Sequence, residues 1–237
     1  MDKKESNNYF DCHDCDYYEN GSCIWAGGLP PCSFLKGRKR PSKPLRKTSD
    51  VLDIQDWLRT NKTYRDYVLF VLGVTTGYRT GDLVSLKVRD VKEALRRKEF
   101  IIKEGKKFKN PNVRRENRKA RTVEIPKRLD MVLRAYIADM KDYEYMFQSR
   151  KGKNKAIGVQ QVSNILKEAG EYFGLYDITA HSMRKTYAYK LYIESGRDVL
   201  LVKEQLGHSS IEETKRYIGV EREDLNKFNY KLNDFIG

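Results

Sequence analysis

The chain has 237 residues, with 47 Lys and Arg against 33 Asp and Glu and a formal net charge of +14. This excess predicts a polyanionic partner, with nucleic acid as the first candidate. No apolar run reaches the ~18 residues of a transmembrane helix, and the N-terminus lacks the apolar stretch of a signal peptide. We therefore expect no membrane association and a reducing cytoplasm, in which the four cysteines do not form a disulfide framework.

A small Cys-rich module is predicted at residues 1–35, because all four cysteines lie there with the spacing C-x2-C-x7-C-x8-C. Four thiolates can complete a tetrahedral shell around one metal ion, which would replace the apolar core that so short a unit lacks. The expected ligands are Cys12, Cys15, Cys23 and Cys32. His13 is interpreted as a bystander in this turn. Zinc is the first choice, an iron–sulfur cluster the second, and four thiols in an unstructured arm the alternative.

A basic segment follows at residues 36–47, where KGRKRPSKPLRK holds seven Lys or Arg and no acidic residue. Its two prolines and one glycine predict an extended linker. Such a linker either follows a DNA backbone or is simply solvated, and its composition leaves both readings open. The main domain then covers residues 48–237.

Residues 48–237 are predicted to form a mostly helical domain with one small β-hairpin, an α+β fold. Apolar residues recur at helical spacing, and turn residues separate the segments. Helices are expected at about residues 51–58, after capping candidates at 48–50, and at 63–75, 81–86, 129–140, 159–173 and 224–235. Gly77 is expected to end the second of these helices.

The predicted hairpin, with strands at 100–105 and 122–126, is strongly basic. Residues 96–128 hold fourteen Lys or Arg and four Glu. Charge this dense on one hairpin indicates a contact with nucleic acid rather than an ordinary solvated surface.

The stretch 181–217 contains two of the three histidines of the chain together with an arginine and a tyrosine. His181 and Arg184 lie three residues apart, which places both on one face of a helix. His208 lies in the compact turn LGHSS, and Tyr217 follows nine residues later. An Arg fork fits two phosphate oxygens, and a phenol can attack phosphorus and hold it covalently. The alternative is a helical hairpin with scattered polar residues.

These motifs resemble those of the tyrosine recombinase (phage integrase) family. HSMR, then LGHSS, then Tyr217 is similar to its C-terminal signature, and TGYRTGDL at 76–83 is similar to the motif that carries its first arginine, here Arg79. The resemblance covers residues 48–237. It implies a tyrosine-recombinase-like catalytic domain, preceded here by the Cys-rich metal-binding module.

The resemblance also implies a role for each matched residue. Arg79 and Arg184 would bind the non-bridging oxygens of the scissile phosphate, and His208 would donate to the same phosphate. His181 would assist as a hydrogen-bonding or proton-transferring group near the nucleophile, and Tyr217 would attack and form a 3′-phosphotyrosyl link. Because this covalent link conserves the phosphodiester energy, no cofactor is expected for catalysis.

The leaving-group acid of the family is a lysine that protonates the 5′ oxygen. The family pattern places it just after a strand in a Gly-Lys step, which here is Gly105 and Lys106. The hairpin is longer in this chain, so Lys119, before the returning strand, is the alternative. Asp82, three residues after Arg79, is expected to orient that arginine or to cap the next helix.

The resulting hypothesis is a site-specific DNA recombinase or integrase, encoded by a prokaryote, a virus or a mobile element. Its partners would be double-stranded DNA and further copies of itself, as a dimer or tetramer on that DNA. Two alternatives stay open. A DNA-binding regulator would keep the fold without cutting, and a type IB topoisomerase-like enzyme would relax DNA by similar chemistry without pairing two sites.

Overall fold

The structure is a computed structural model that describes residues 41–103, 105–108, 111 and 120–219, and the backbone alone at 18–19, 22–23, 106 and 107. Residues 1–41 and 42–237 form two units. In the first unit, strand β1 (Tyr18–Glu19) pairs antiparallel with β2 (Ser22–Cys23). Three cysteines of the predicted metal site, Lys119 and the helix expected at 224–235 lie outside the described residues.

The described part of the second unit is mostly helical with one small antiparallel sheet, as the sequence predicted. Strand β3 (Glu99–Ile102) pairs with β4 (Arg121–Glu124), so that Phe100 lies opposite Val123. None of the described helices is long and apolar enough to cross a membrane. In chain order these helices are α1 (Thr48–Asn61), α2 (Tyr64–Thr76), α3 (Thr80–Val84), α4 (Val88–Arg97), α5 (Gly105–Phe108), α6 (Lys127–Ile137), α7 (Val159–Tyr172), α8 (Ala180–Glu194), α9 (Val199–Leu206) and α10 (Ile211–Ile218).

Two local features differ from the sequence expectation. Helix α1 begins at Thr48, so the expected capping residues at 48–50 form its first turn, and no side chain caps it. Helix α4 was not predicted, because charged residues interrupt its apolar stripe. Its buried residues Val88, Val91 and Leu95 nevertheless follow the i, i+3, i+7 spacing of one helix face, and this spacing could have revealed the helix.

The apolar core consists of two clusters. The larger one surrounds α2, whose residues 68–73 are all buried against α1, α6 and α8. The smaller one joins α8, α9 and α10 through Ala188, Val202, Leu206 and Ile218. Helix α8 contributes residues to both clusters, so the side chains in its first half lie where the two clusters meet.

Residues 42–47, predicted as the end of a linker, pack on the second unit. Leu45 is only 3% exposed, and its N–H donates to Thr186 Oγ1 at 2.9 Å. The N–H of Lys43 donates to the Asp177 carbonyl at 3.1 Å. The segment is extended, as its prolines predicted, but the apolar side chain within the basic run attaches it to α8.

We expect the larger core to dominate the stability of the domain. Leu58 is fully buried in α1, whereas Leu52 in the same helix is 53% exposed. Leu58→Ala should therefore lower the free energy of unfolding by about 2–5 kcal/mol, through lost burial and a residual cavity. Leu52→Ala, the matched control, should change it by less than about 0.5 kcal/mol. Urea unfolding of both variants measures the difference, and equal effects would contradict this description of the core.

Candidate active site

Helix α8 positions the first two predicted site residues. Its N-cap, Thr179, accepts from the His181 N–H at 3.3 Å, and the Thr179 N–H donates to Ser182 Oγ at 3.0 Å. This reciprocal capping fixes the first turn of the helix, from which His181 projects. Arg184 follows one turn later and is 1% exposed, whereas His181 keeps contact with solvent.

The Arg184 guanidinium lies between the C-terminal ends of two helices. Its Nη1 donates to the Gly77 carbonyl at 2.9 Å, beyond the end of α2, and its Nη2 to the Leu206 carbonyl at 3.0 Å, in the last turn of α9. Helix C-termini offer carbonyls without intrahelical partners and a partial negative charge, which suit a buried cation. Burial lowers the pKa of Arg184, while the nearby Tyr217 opposes this shift. The fork is therefore held in a fixed orientation.

Arg79 reaches the same place from the start of α3. It occupies the N-cap position in an extended conformation, three residues after the end of α2. Burial lowers the pKa of Arg79, and the positive charge of Arg184 lowers it further. Two guanidinium groups this close repel each other, so an anion bound beside both would be strongly favoured.

Tyr217 lies in the last turn of α10, between the two predicted histidines. Its ring centroid is 4.9 Å from that of His181 and 4.6 Å from that of His208. The Tyr217 hydroxyl shares a hydrogen bond with His181 Nε2 and is within hydrogen-bonding reach of Arg184. Burial raises the pKa of the Tyr217 phenol, and Arg184 and Arg79 partly offset this rise. The structure thus brings five of the six predicted catalytic residues together.

The turn LGHSS connects α9 to the helix that carries Tyr217. His208 is 7% exposed, and its Nδ1 is 3.0 Å from Thr214 Oγ1 on α10. The N–H and hydroxyl of Ser209 both donate to Glu213 Oε2 at 3.1 Å, and Ser210 Oγ accepts from the Glu213 N–H at 3.1 Å. These bonds fix the turn against α10, so that His208 and Tyr217 keep one relative position.

Arg121, which the sequence reasoning counted only among the basic residues of the hairpin, lies behind this cluster. Its Nη2 donates to the Thr76 and Gly77 carbonyls, both at 2.8 Å, and its guanidinium lies over the Tyr187 ring at 5.7 Å. Burial lowers the pKa of Arg121 to about 10, with Arg184 as the next cause. The alternation of side chains along a strand could have indicated that Arg121 is partly buried, because it shares the inward side of the strand with Val123 and Ile125.

Asp82, expected to orient Arg79 or to cap α3, lies close enough to Arg79 for its charge to oppose the lowering of the Arg79 pKa. Its Oδ1 accepts from the Gly105 N–H at 3.1 Å, at the first residue of α5. This bond ties the start of α5 to the helix that begins beside Arg79. Lys106 is the next residue, but its side chain, like all of Lys119, lies outside the described residues.

Within the described residues, no group of three or more His, Cys, Asp or Glu side chains could hold a metal ion. Cys12, Cys15 and Cys32 lie outside that range, and only the backbone of Cys23 is described. The metal site predicted from the cysteine spacing therefore stays a prediction.

The fold and the side chains that it brings together are those expected for the catalytic domain of a tyrosine recombinase. Residues 47–223 match the model of the phage integrase family. The chain belongs to that family, as its motifs predicted.

Two relatives and one solved structure show how far this likeness extends. Probable integrase/recombinase YoeC of Bacillus subtilis is 33% identical over 190 residues, which cover 80% of this chain and 96% of YoeC. Tyrosine recombinase XerA of Thermococcus kodakarensis is 31% identical over 169 residues, which cover 70% of this chain and 55% of XerA. The Tn1549 transposon integrase, solved in complex with transposon right end DNA, has a similar fold, with a TM-score of 0.58 at 16% identity over 79% of this chain and 64% of that chain. The chain thus spans nearly all of YoeC and about half of XerA.

The surroundings of His181 predict an unusual titration. Partial burial lowers its pKa from the ordinary 6.5 to about 4, and the cations Lys185, Arg184 and Arg79 add to the effect. An NMR titration should therefore find His181 uncharged at neutral pH, with its midpoint near 4, and His181→Asn assigns the resonance. Lys185→Gln should move the midpoint upward, because it removes one of these cations. A midpoint near 6.5 in the wild-type protein would contradict this environment.

Proposed function

We propose that this recombinase cuts and rejoins double-stranded DNA at specific sites through a 3′-phosphotyrosyl intermediate. The observation that carries the proposal is the Tyr217 hydroxyl, which shares a hydrogen bond with His181 and faces two arginines. The net charge of +14 favours DNA as the substrate. The Tn1549 integrase was solved in complex with transposon DNA, which supports the same substrate here.

Substrate binding would begin with the two arginines. Arg79 and Arg184 bind the non-bridging oxygens of the scissile phosphate, whose negative charge relieves the repulsion between them. Because Arg184 is already held by the Gly77 and Leu206 carbonyls, it needs little reorganisation to meet the phosphorane. His208, oriented by Thr214, donates to a phosphate oxygen.

Strand cleavage would then exchange one phosphate ester for another. The bound phosphate offsets the charges of Arg184 and Arg79 that lower the pKa of His181 in the free protein. The Tyr217 oxygen attacks phosphorus, its proton passes to His181, and the bond from phosphorus to the 5′ oxygen breaks. Lys106 gives a proton to that oxygen, with Lys119 as the alternative donor. Attack by the 5′ hydroxyl of a second strand reverses these steps and releases Tyr217. The number of phosphoester bonds is unchanged, so the reaction needs no cofactor as an energy source.

The choice of Lys106 is supported by the anchoring of the residue before it. Gly105 is bonded to Asp82, and Asp82 belongs to the helix that begins beside Arg79. Lys106 follows Gly105 directly, so this hydrogen bond holds the backbone beside Lys106 against the helix that begins next to Arg79. Lys119 stays the alternative, two residues before Arg121, whose guanidinium donates to the Thr76 and Gly77 carbonyls.

Recombination would also require several copies of the chain. Exchanging two duplexes breaks four strands, and each copy supplies one Tyr217. We therefore propose a dimer on each DNA site and a tetramer at the exchange. Likeness to transposase A from transposon Tn554 of Staphylococcus aureus, 26% over 213 residues, supports a mobile element as the source.

The assignment of Tyr217 is tested by covalent trapping. Nicked duplexes tiled across the DNA that flanks the gene are incubated with the full chain, and adducts are resolved under denaturing conditions. Tyr217→Phe should abolish the adduct and leave DNA affinity within about twofold, because many other cations hold the DNA. Tyr172→Phe, at a 70% exposed tyrosine, is the matched control and should behave as wild type.

An adduct that persists in Tyr217→Phe would overturn the assignment. Wild-type protein that binds these duplexes without forming an adduct would indicate a regulator. Relaxation of any supercoiled plasmid, without preference for a site, would indicate a topoisomerase-like enzyme.

We further propose that residues 1–35 bind one zinc ion through Cys12, Cys15, Cys23 and Cys32, with an iron–sulfur cluster as second choice. The spacing of the cysteines supports this, and so does the β1–β2 pairing, which sets Tyr18 opposite Cys23. Two strands of two residues each cannot supply an apolar core, so metal ligation would stabilise the module.

Elemental analysis of anaerobically purified full-length protein tests this module. We expect about one zinc per chain, lost in Cys15→Ser and retained in the matched variant His13→Ala. Chelation should expose four reactive thiols and leave the unfolding transition of the main domain unchanged. Iron with sulfide would identify a cluster instead, and trace metal with four reactive thiols would refute the module.

A further inference from the structure

Residues 42–46 cross helix α8 and reach the end of the helix that carries Tyr217. Three contacts hold them there, at 42, 45 and 46. Lys185 Nζ donates to the Ser42 carbonyl at 2.6 Å, and the Leu45 N–H donates to Thr186 Oγ1 at 2.9 Å. Arg46 Nη2 donates to the Gly219 carbonyl, immediately beyond α10. One short segment therefore contacts α8, which carries His181 and Arg184, and the residue that ends α10, which carries Tyr217.

Arg46 closes the C-terminal end of α10. Gly219, the C-cap, has a φ of +71°, and its N–H donates to the Lys215 carbonyl at 3.0 Å. A cation is favourable at this end of a helix, where carbonyls lack intrahelical partners. The Arg46 guanidinium also lies over the Tyr189 ring at 5.6 Å, which limits the directions that its fork can take.

The position of Tyr217 depends on this helix end. Helix α10 has only eight residues, too few to be stable without tertiary contacts. Tyr217 lies in its last turn, two residues before Gly219, so fraying of that turn would move the hydroxyl. Lys185, which binds the Ser42 carbonyl, also lies 5.7 Å from the centroid of the Tyr217 ring. The segment thus contacts a lysine beside the Tyr217 ring and the residue that ends the helix of Tyr217.

We propose that residues 42–46 act as a positioning strap, in which Arg46 holds the last turn of α10 and so sets the place of the Tyr217 hydroxyl. The inference rests on the proposed function of Tyr217 as the nucleophile. Arg46 has no described contact with Arg79, Arg184 or Tyr217, and acts on the reaction only through the helix. The competing explanation is that Arg46 is a DNA phosphate contact, which predicts a loss of affinity instead.

The first test measures hydrogen exchange in the full chain. Arg46→Gln should speed exchange of the Ile218 and Gly219 amides about fivefold to tenfold. This is the effect expected when a helix end loses roughly one surface hydrogen bond. Arg59→Gln is the matched control, because Arg59 also donates one hydrogen bond, to Asp56, and lies over a tyrosine ring, at 5.8 Å. It should leave both amides unchanged.

The second test separates binding from cleavage on the nicked duplexes that trap the wild-type adduct. Arg46→Gln should slow adduct formation about tenfold and keep Kd for the duplex within about twofold, because the substitution displaces the last turn of α10 and removes no contact with a phosphate. Arg59→Gln should match wild type in both.

Unchanged exchange at residues 218 and 219 in Arg46→Gln would overturn the strap, whether or not the protein cleaves DNA. A weaker Kd with a normal cleavage rate would also overturn it, in favour of a phosphate contact. If wild type formed no adduct on any duplex, the proposed function would fall, and the exchange comparison alone would decide whether Arg46 holds the helix.

Discussion

The buried guanidinium of Arg184 is the constraint on which the rest of the site depends. A cation removed from water must be matched by acceptors, because its desolvation costs several kcal/mol. The fold meets this demand with two carbonyls: that of Gly77, the C-cap of the helix at the centre of the larger core cluster, and that of Leu206, a member of the smaller one. Gly77 cannot carry a side chain, since its φ is +63° and a Cβ would lie 2.3 Å from the Tyr187 ring. The same arginine therefore joins the clusters and presents its fork to the site.

Electrostatic repulsion is built into this arrangement and would favour the binding of an anion. Arg79, Arg121 and Arg184 each have a pKa lowered first by burial, Arg184 lowers the pKa of Arg79 and of Arg121 further, and Arg79 also lowers that of Arg121. Arg121 shares the Gly77 carbonyl with Arg184, so the hairpin strand is tied to the same helix end as the Arg184 guanidinium. A phosphate would relieve the repulsion, and a phosphorane with more negative charge would relieve it further.

Much of the fold and of the candidate site could be predicted from the sequence, for two reasons. Helical periodicity located most of the helices, because burial of one face imposes that spacing wherever a helix packs on a core. The linked motifs located Arg79, His181, Arg184, His208 and Tyr217, which the structure brings together. Local signals failed where the partner is distant in the chain. Arg121 bonds to carbonyls 44 and 45 residues away, and Leu45 bonds to Thr186 across 141 residues.

The sequence by itself determined the family, the mostly helical fold with one basic hairpin, and the chemical types in the site, since these depend on periodicity, charge and motif spacing. Only the tertiary structure decided which carbonyls hold Arg184, that Asp82 accepts a hydrogen bond from Gly105, and that the extended residues 42–46 pack on α8. Each of these depends on which helix ends, turns and connecting segments lie next to one another after folding. Backbone carbonyls and amides are common to every residue, so their pairing leaves no mark in the order of side chains.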